Sequence, residues 1–320
     1  MNILVIGGTA FFGKRAVELL LERGDEVTIF SRGRRRPPFW PRVTHLRGDR
    51  TDHRAFVEIL RPTRFDVVID NVAFQPEDIS AAIDAFGDRG PHYLLTSTGS
   101  VYDFRRPEAF RPLTEEDADL DLRGDMEYAE GKRACEQMLH RAPFPWTIIR
   151  PPVVQGPDDP SARGWFWIQR VADGGPVLVP QRDPAVMWRQ GFSDDVARAL
   201  VLAAGNTAAQ GKTYNVAMEE IVGLDDYVRI LAQILDTNDP VVAVPARILK
   251  QEASWYHAQF AHRFVPDIAA IQRDLGFRST PLRTWLEDTV RWHLDARLRD
   301  SQGYERRSEE VALANRVIRS

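Results

Sequence analysis

Asn2-Ile3-Leu4-Val5-Ile6-Gly7-Gly8-Thr9-Ala10-Phe11-Phe12-Gly13 is the stretch that decides the fold. Ile3 to Ile6 is a continuous apolar run, the pattern of a strand covered on both faces. Gly7, Gly8 and Gly13 then mark a turn, and the next ten residues carry apolar side chains at Ala16, Leu19, Leu20 and Leu21, as a helix would. A strand entering a helix through a glycine turn points backbone N–H groups and the positive end of the helix dipole at one spot, where a pyrophosphate binds. The residues placed to hold it are Gly7, Thr9, Ala10, Phe11, Phe12 and Gly13. Ala10 stands where a middle glycine is usual, which lengthens the backbone-to-phosphate approach. A tight turn that only packs helix on strand is the plainer reading of the glycines alone.

Outward from this turn, strand patterns at residues 26–30, 43–46, 65–70, 93–96 and 146–150 alternate with helical patterns at 54–60, 77–86 and 126–141. Such alternation predicts an α/β fold, a doubly wound parallel sheet with helices on both faces. Pro151, Pro152, Gly156, Pro157 and Pro160 interrupt the pattern. A helix at 194–204 and a strand at 213–216 rejoin the sheet. The expected organisation is a dinucleotide-binding domain of residues 1–150 plus about 191–216. A smaller substrate lobe takes about 151–190 and 217–300, including helices at 224–235 and 282–298, the latter with Trp285 and Trp292 on its apolar side. Residues 301–320 read as a charged tail, either a projecting helix or a frayed end.

With 320 residues, 43% of them hydrophobic, the chain buries a sizeable core. A formal charge of -4 gives no general attraction for nucleic acid or anionic membrane. Cys135 is the only cysteine, so neither an intrachain disulfide nor a thiolate metal cluster is available, and no metal site is expected. There is no apolar run near the roughly 20 residues of a membrane span, and no basic leader precedes Ile3. A soluble, cytoplasmic protein is expected.

In the helix at 126–141, Tyr128 and Lys132 are four apart and share a face. An ammonium beside a phenol favours the phenolate and lowers a pKa that starts near 10, which suits a base working near neutrality. Only four lysines occur, so a chance spacing of this kind is uncommon. The chemistry fits interconversion of a secondary alcohol and a ketone. At the end of the second strand, an acid reads an unmodified ribose and a basic group accommodates a 2′-phosphate. Ser31 and Arg32 stand there, followed by Arg34, Arg35 and Arg36, which favours NADP, with NAD as the alternative and a solvated basic loop as the bland reading.

These motifs in this order resemble the extended short-chain dehydrogenases/reductases, the NAD-dependent epimerase/dehydratase family with a Rossmann sheet, over residues 1–298. Gly7 to Gly13 is similar to the family's cofactor turn, Gly48-Asp49-Arg50 to its adenine loop, and Asn71-Val72-Ala73 to its fourth-strand loop. Ser97 to Tyr102 is similar to its Ser/Thr-rich strand end, Tyr128 and Lys132 to its catalytic pair, and Arg150-Pro151-Pro152 with Gly156-Pro157 to the following loop. The resemblance implies catalysis by Thr98, Tyr128 and Lys132. It also implies cofactor contacts from Asp49, Arg50, Asn71, Val72, Ala73, Tyr128, Lys132 and Pro151, and a homodimer paired through the Tyr128 helix. Asp49 would equally serve to cap the helix that follows it.

Departures narrow the reaction. Family members that dehydrate sugars follow the strand-end threonine with an acid pair, whereas Gly99 and Ser100 follow Thr98. Val153 replaces the asparagine common in sugar epimerases, and Arg189 lies one residue nearer Asp195 than the family's diphosphate-binding arginine. The small-molecule substrate is expected to be sugar-like, with a nucleotide link unestablished. Gly164-Trp165-Phe166-Trp167 and residues 176–180 are similar to the chloroplast stem-loop-binding-protein branch of the family. That branch implies an alternative, RNA binding on a reused fold, against which the acidic balance and the retained Tyr128 and Lys132 argue. Trp165, Trp167 and Trp188 are candidates for either a pocket or the core. His257 and His262 lack a supporting carboxylate pattern and are read as structural.

Overall fold

The computed structural model describes residues 1–87, 90–104, 111–181, 186–256, 263–296 and 298–319; His257 and His262 lie outside them. In chain order the elements are β1 (Asn2–Ile6), α1 (Phe11–Glu22), β2 (Glu26–Ser31), β3 (Thr44–Arg47), α2 (His53–Leu60), β4 (Val67–Asp70), α3 (Pro76–Phe86), β5 (His92–Thr96), α4 (Glu127–Leu139) and β6 (Trp146–Arg150). There follow β7 (Val154–Gln155), α5 (Trp165–Ala172), β8 (Val177–Gln181), β9 (Met187–Trp188), β10 (Gly191–Phe192), α6 (Ser193–Ala203), β11 (Lys212–Asn215) and β12 (Val222–Gly223). The last are α7 (Leu224–Ile234), β13 (Val241–Pro245), α8 (Ala246–Glu252), α9 (Ala269–Leu275), α10 (Leu282–Asp295) and α11 (Arg307–Arg319).

The chain divides into two compact units. The first comprises Met1–Val154, Gln190–Ala217 and Pro266–Ser279. Its seven strands run parallel in the order β11-β6-β5-β4-β1-β2-β3. The pleat sends alternate side chains to opposite faces. Ile3 and Val5 join α1, α6 and α9 residues in one core cluster, while Leu4 and Ile6 join Phe56, Ile79, Phe86 and Leu139 from α2, α3 and α4 in another. β1 is therefore apolar at every inward position because both of its faces are covered. Strand order reverses between β1 and β4, so both strands deliver their following loops to one switch point. Pro266–Ser279, which the periodicity assigned to the later lobe, belongs to this unit: Ile271 and Leu275 of α9 bury into the α1/α6 core.

The second unit comprises Gln155–Arg189, Met218–Val265 and Thr280–Ser320. It contains the parallel pair β8 and β13 and the antiparallel pair β12 and β9. Trp167, Trp188 and Trp285 are packing residues here, each at most 3% exposed, while Trp292 is only partly buried. The Trp165 ring stacks on His293 at 6.1 Å and its Nε1 donates to the Arg299 carbonyl. The charged end of the chain is not frayed, because α11 is anchored. Arg170 on α5 and Glu310 on α11 form an ion pair at 2.6 Å with both side chains fully buried. Arg170 also lies 3.7 Å over the Phe166 ring, and Arg307 reaches both Glu310 and Asp173. Removing one partner of such a pair strands a charge in the interior. Glu310→Ala is expected to lower the unfolding free energy by about 3–5 kcal/mol in chemical denaturation; a loss below about 1 kcal/mol would show that this pair does not anchor the helix.

Candidate active site

At the switch point, Gly7 has φ +83° and a Cβ on it would stand 2.8 Å from Val72 Cγ1. A Cβ on Gly13 would fall 2.2 Å from the Gly7 carbonyl oxygen, so a side chain there would force the turn open. Ala10 precedes α1 without a side-chain cap, and no acidic residue occupies the first turn of the helix. Thr9 and Phe12 are partly buried, and Phe11 holds φ at +50°, a strained value for an aromatic residue. Asn71 completes the turn. Its Oδ1 accepts from Thr96 Oγ1 at 2.6 Å, while its buried Nδ2 has no hydrogen-bond partner and lies 3.1 Å from the Gly13 Cβ position. Uncapped backbone N–H groups, an unopposed helix dipole and an unsatisfied buried amide make this turn chemically suited to a dinucleotide pyrophosphate. Val72 walls it, with its N–H donated to Asp70 Oδ1 at 2.9 Å.

Arg32 and Arg34 at the end of β2 are exposed and act electrostatically on Asp49. The Asp49 carboxyl accepts from Thr51 N at 3.1 Å and Thr51 Oγ1 at 2.9 Å; these bonds first, and the two arginines after them, hold it below the usual carboxylate range. Asp49 is not the cap of α2, a place taken by Asp52, which accepts from Ala55 N. Ser31 turns its hydroxyl to His45 at 3.1 Å and to Gly33 N at 3.3 Å. Arg50 is not part of this corner. Its buried guanidinium donates to Asp70 and the Asp78 carbonyl and lies 4.0 Å over the Phe56 ring, so it acts as an internal strut between β4 and α3.

Thr98, Tyr128 and Lys132 come from the end of β5 and from α4. Thr98 is buried, accepts from Ser100 N at 3.1 Å and lies within 3.3 Å of Ser100 Oγ. Pro151 closes this strand end by accepting from Gly99 N at 2.7 Å. Tyr128 is 45% exposed. Lys132, by contrast, is 1% exposed, and its Nζ donates to the carbonyls of Ala73 at 2.7 Å and Thr96 at 2.8 Å. Several supporting residues escaped the sequence reading. Gly131 admits the loop after β4, since a Cβ on it would meet the Phe74 carbonyl oxygen at 2.4 Å. The Phe74 ring lies 4.5 Å from Lys132 Nζ and 6.2 Å from the Tyr128 ring. Glu136, one turn beyond Lys132, accepts from Ser97 Oγ at 2.5 Å and pairs with Arg150. A glycine inside a helix and an acid four residues past Lys132 were the available signals.

Residues 3–217 match the NAD dependent epimerase/dehydratase family. The chain belongs to that family. Among its relatives, chloroplast stem-loop binding protein of 41 kDa b from Arabidopsis thaliana is 28% identical over 254 residues, covering 75% of this chain and 65% of that protein. The 2'-dehydrokanamycin reductase of Streptomyces kanamyceticus is 25% identical over 226 residues, covering 68% and 62%. The match thus spans less than two thirds of either relative. The fold is that of UDP-glucose 4-epimerase from Thermotoga maritima, solved with UDP-glucose, at TM-score 0.73 and 18% identity over 92% of this chain and 99% of that one. It is also that of the Bordetella bronchiseptica enzyme WbmH, solved with NAD+, at TM-score 0.71 and 18% identity over 93% and 99%. Among the described residues no helix is long and apolar enough to cross a membrane.

The burial of Lys132 has a measurable consequence. Desolvation pushes its pKa from the ordinary value of 10.5 down to about 8. Below pH 8 the lysine is charged in both folded and unfolded states and the burial penalty is present in full. Between pH 8 and 10.5 the folded protein gives up the proton first, so stability rises with pH, by on the order of 3 kcal/mol in total. Unfolding measured across this range should show the rise in the unaltered protein and its absence in Lys132→Met. Parallel pH curves for the two proteins would contradict the assignment.

Proposed function

We propose that this chain is an NAD(P)-dependent reductase or epimerase acting at a secondary alcohol or ketone of a sugar-like small molecule, with Thr98, Tyr128 and Lys132 as its catalytic group. The observation that carries the reading is the pairing, on one helix, of an outward-facing phenol with a dry ammonium one turn away. In a low-dielectric setting an ammonium acts on a neighbouring phenolate several times more strongly than in water. Tyr128 would take the hydroxyl proton of the alcohol, Thr98 would hydrogen-bond the reacting oxygen, and Lys132 would keep the phenolate accessible near neutral pH. When bound, the dinucleotide supplies the acceptor for the hydride leaving the carbinol carbon, and the product is the ketone. Delivery of hydride to a ketone from a dinucleotide that arrives reduced, with the proton from Tyr128, would be net reduction; return of the abstracted hydride to the opposite face of the ketone would be epimerisation.

The cofactor would lie over Gly7, Thr9, Ala10, Phe11, Phe12 and Gly13, with Asn71, Val72, Ala73 and Pro151 toward the nicotinamide end and Ser31, Arg32 and Asp49 toward the adenosine. Arg32 and Arg34 favour NADP, and a freely exchanging NADPH favours net reduction. Gly99 and Ser100 offer no acid to eliminate water, which argues against dehydration. The Arg189 guanidinium donates to the Glu219 carbonyl, so a nucleotide diphosphate is the less favoured part of the substrate. A homodimer joined through α4 and a cytoplasmic setting belong to the same proposal.

One observation favours a second reading: a relative named as a stem-loop binding protein aligns over 75% of this chain. RNA binding on a reused fold would then replace catalysis, against the formal charge of -4. Titration with NAD, NADH, NADP and NADPH, together with a stem-loop RNA at physiological salt, separates the two. Tight RNA binding with no dinucleotide bound would reverse the ranking.

If the enzyme reading holds, Tyr128→Phe should lower turnover by about 100-fold or more while the cofactor still binds. Unchanged activity would refute the assigned base. Arg32→Glu should weaken NADPH binding by at least about tenfold, the worth of one charge-assisted contact, and leave NADH binding nearly unaltered. Equal effects on both cofactors would remove Arg32 from the 2′-phosphate.

A further inference from the structure

Lys132 has no carboxylate partner within ion-pair distance among the described residues, and each anionic group near it is engaged elsewhere. From β4, Asp70 takes the Arg50 guanidinium and the Tyr93 hydroxyl. From α3, Asp78 accepts from His53, Phe74 N and Gln75 N, with Arg50 close by. On α4 itself, Glu136 is held by Arg150 and Ser97, and burial pushes the Cys135 thiol up to about 12, so it is uncharged near neutral pH. The direct attractions on the ammonium are two backbone carbonyls and the face of one aromatic ring, Phe74, at 4.5 Å.

Phe74 is 43% exposed, so burial in a core does not account for an aromatic side chain here. Its backbone is fixed twice, by donation of its N–H to Asp78 Oδ2 at 2.8 Å and by the notch at Gly131 that receives its carbonyl. The ring stands with one face over the ammonium and lies tilted by 47° against the Tyr128 ring. An aromatic face does two opposed things to a lysine: it displaces water, which disfavours the charged form, and its quadrupole attracts the cation, which favours it.

We propose that Phe74 is a positioning residue for the Tyr128–Lys132 pair, an aromatic cap that keeps water from the Lys132 ammonium while its π face holds the charge in place. The proposal rests on the catalytic reading of that pair, and it adds a residue that neither touches the reacting atoms nor was apparent in the sequence. Without the cap the ammonium would be hydrated and its effect on the phenol screened; with an aliphatic cap it would be dry but less willing to stay charged.

The four lysines of the chain make a direct measurement practical. Protein carrying lysine labelled with 13C at Cε, without added dinucleotide, is titrated by NMR, and the Lys132 signal is assigned by its loss in Lys132→Met. Phe74→Ala admits water and is expected to raise the Lys132 midpoint by about one unit. Phe74→Leu keeps water out but removes the quadrupole, and is expected to lower it by about half a unit or more, while Phe74→Trp restores the original value. Shifts of the same sign in the alanine and leucine proteins, or no shift in either, would overturn the proposal. If the alanine protein does not fold, the leucine and tryptophan proteins decide: a midpoint that does not fall with leucine, or does not recover with tryptophan, overturns it. In turnover assays the basic limb of the pH profile should follow the same order. Because the NMR titration needs neither cofactor nor substrate, absence of dinucleotide binding would count against the catalytic reading and leave this result standing on its own.

Discussion

The two hydrogen bonds of Lys132 Nζ, to the carbonyls of Ala73 and Thr96, tie together the parts on which everything else in the site depends. One carbonyl belongs to the loop after β4, the other to the last residue of β5, and the donor sits in the middle of α4. An ammonium this dry is costly, and its burial is tolerated because its donors meet fixed acceptors. The close approach that allows those bonds requires Gly131, since any side chain there would meet the Phe74 carbonyl. A glycine that weakens a helix by about 1 kcal/mol is thus part of what lets the lysine reach its place.

A second buried connection runs beneath the first. Glu136 receives Ser97 and Arg150; Arg150 reaches Tyr102 and the Glu115 carbonyl; and Tyr102 donates to Asn215 at the end of β11. Burial pushes the Tyr102 phenol up to about 12, so it stays a donor throughout the physiological range. The network joins the ends of β5, β6 and β11 to α4, and it lies next to Thr98 and Pro151 in sequence. Its two charged members, Glu136 and Arg150, are almost wholly buried, so loss of either leaves an uncompensated charge and loosens several strand ends at once. Lys132 and Glu136 therefore make different ties from one helix, the first to the loop after β4 and the end of β5, the second to Ser97 and to Arg150 at the end of β6.

Much of the fold was legible because β1 reads as a strand covered on both faces and is followed at once by glycines. Gly7 and Gly13 advertise a turn, and their steric demands in the structure are the reason they must be glycine. Helices with a clear apolar stripe, α3, α6 and α7, agree with the periodicity to within a few residues for the same reason. Arg50 was harder. The resemblance places it among the cofactor contacts, whereas its burial depends on Asp70, Asp78 and Phe56, which come from three other elements. The terminal helix was obscured in the same way, for the charges that made residues 301–320 resemble a tail include Glu310, whose partner Arg170 lies 140 positions away. Local pattern reports amphipathicity well and long-range ion pairing poorly.

The site separates along the same line. Tyr128 and Lys132 are identifiable as a pair from their spacing, and Thr98 only from the family resemblance, but spacing does not reveal that Tyr128 is exposed while Lys132 is buried. That asymmetry is what the proposed chemistry relies on. A phenol that exchanges protons with a substrate must be reachable, and the charge that tunes it is most effective where water is excluded. Four residues of helix carry the two groups from one setting to the other, because α4 turns one side of the pair toward solvent and packs the next turn against the loop after β4. Changing the spacing to two or five would rotate one group off this face. A lysine carried on another element could keep the charge but would lack the fixed orientation that a shared helix provides, so the pairing on α4 is as much a geometric requirement as an electrostatic one.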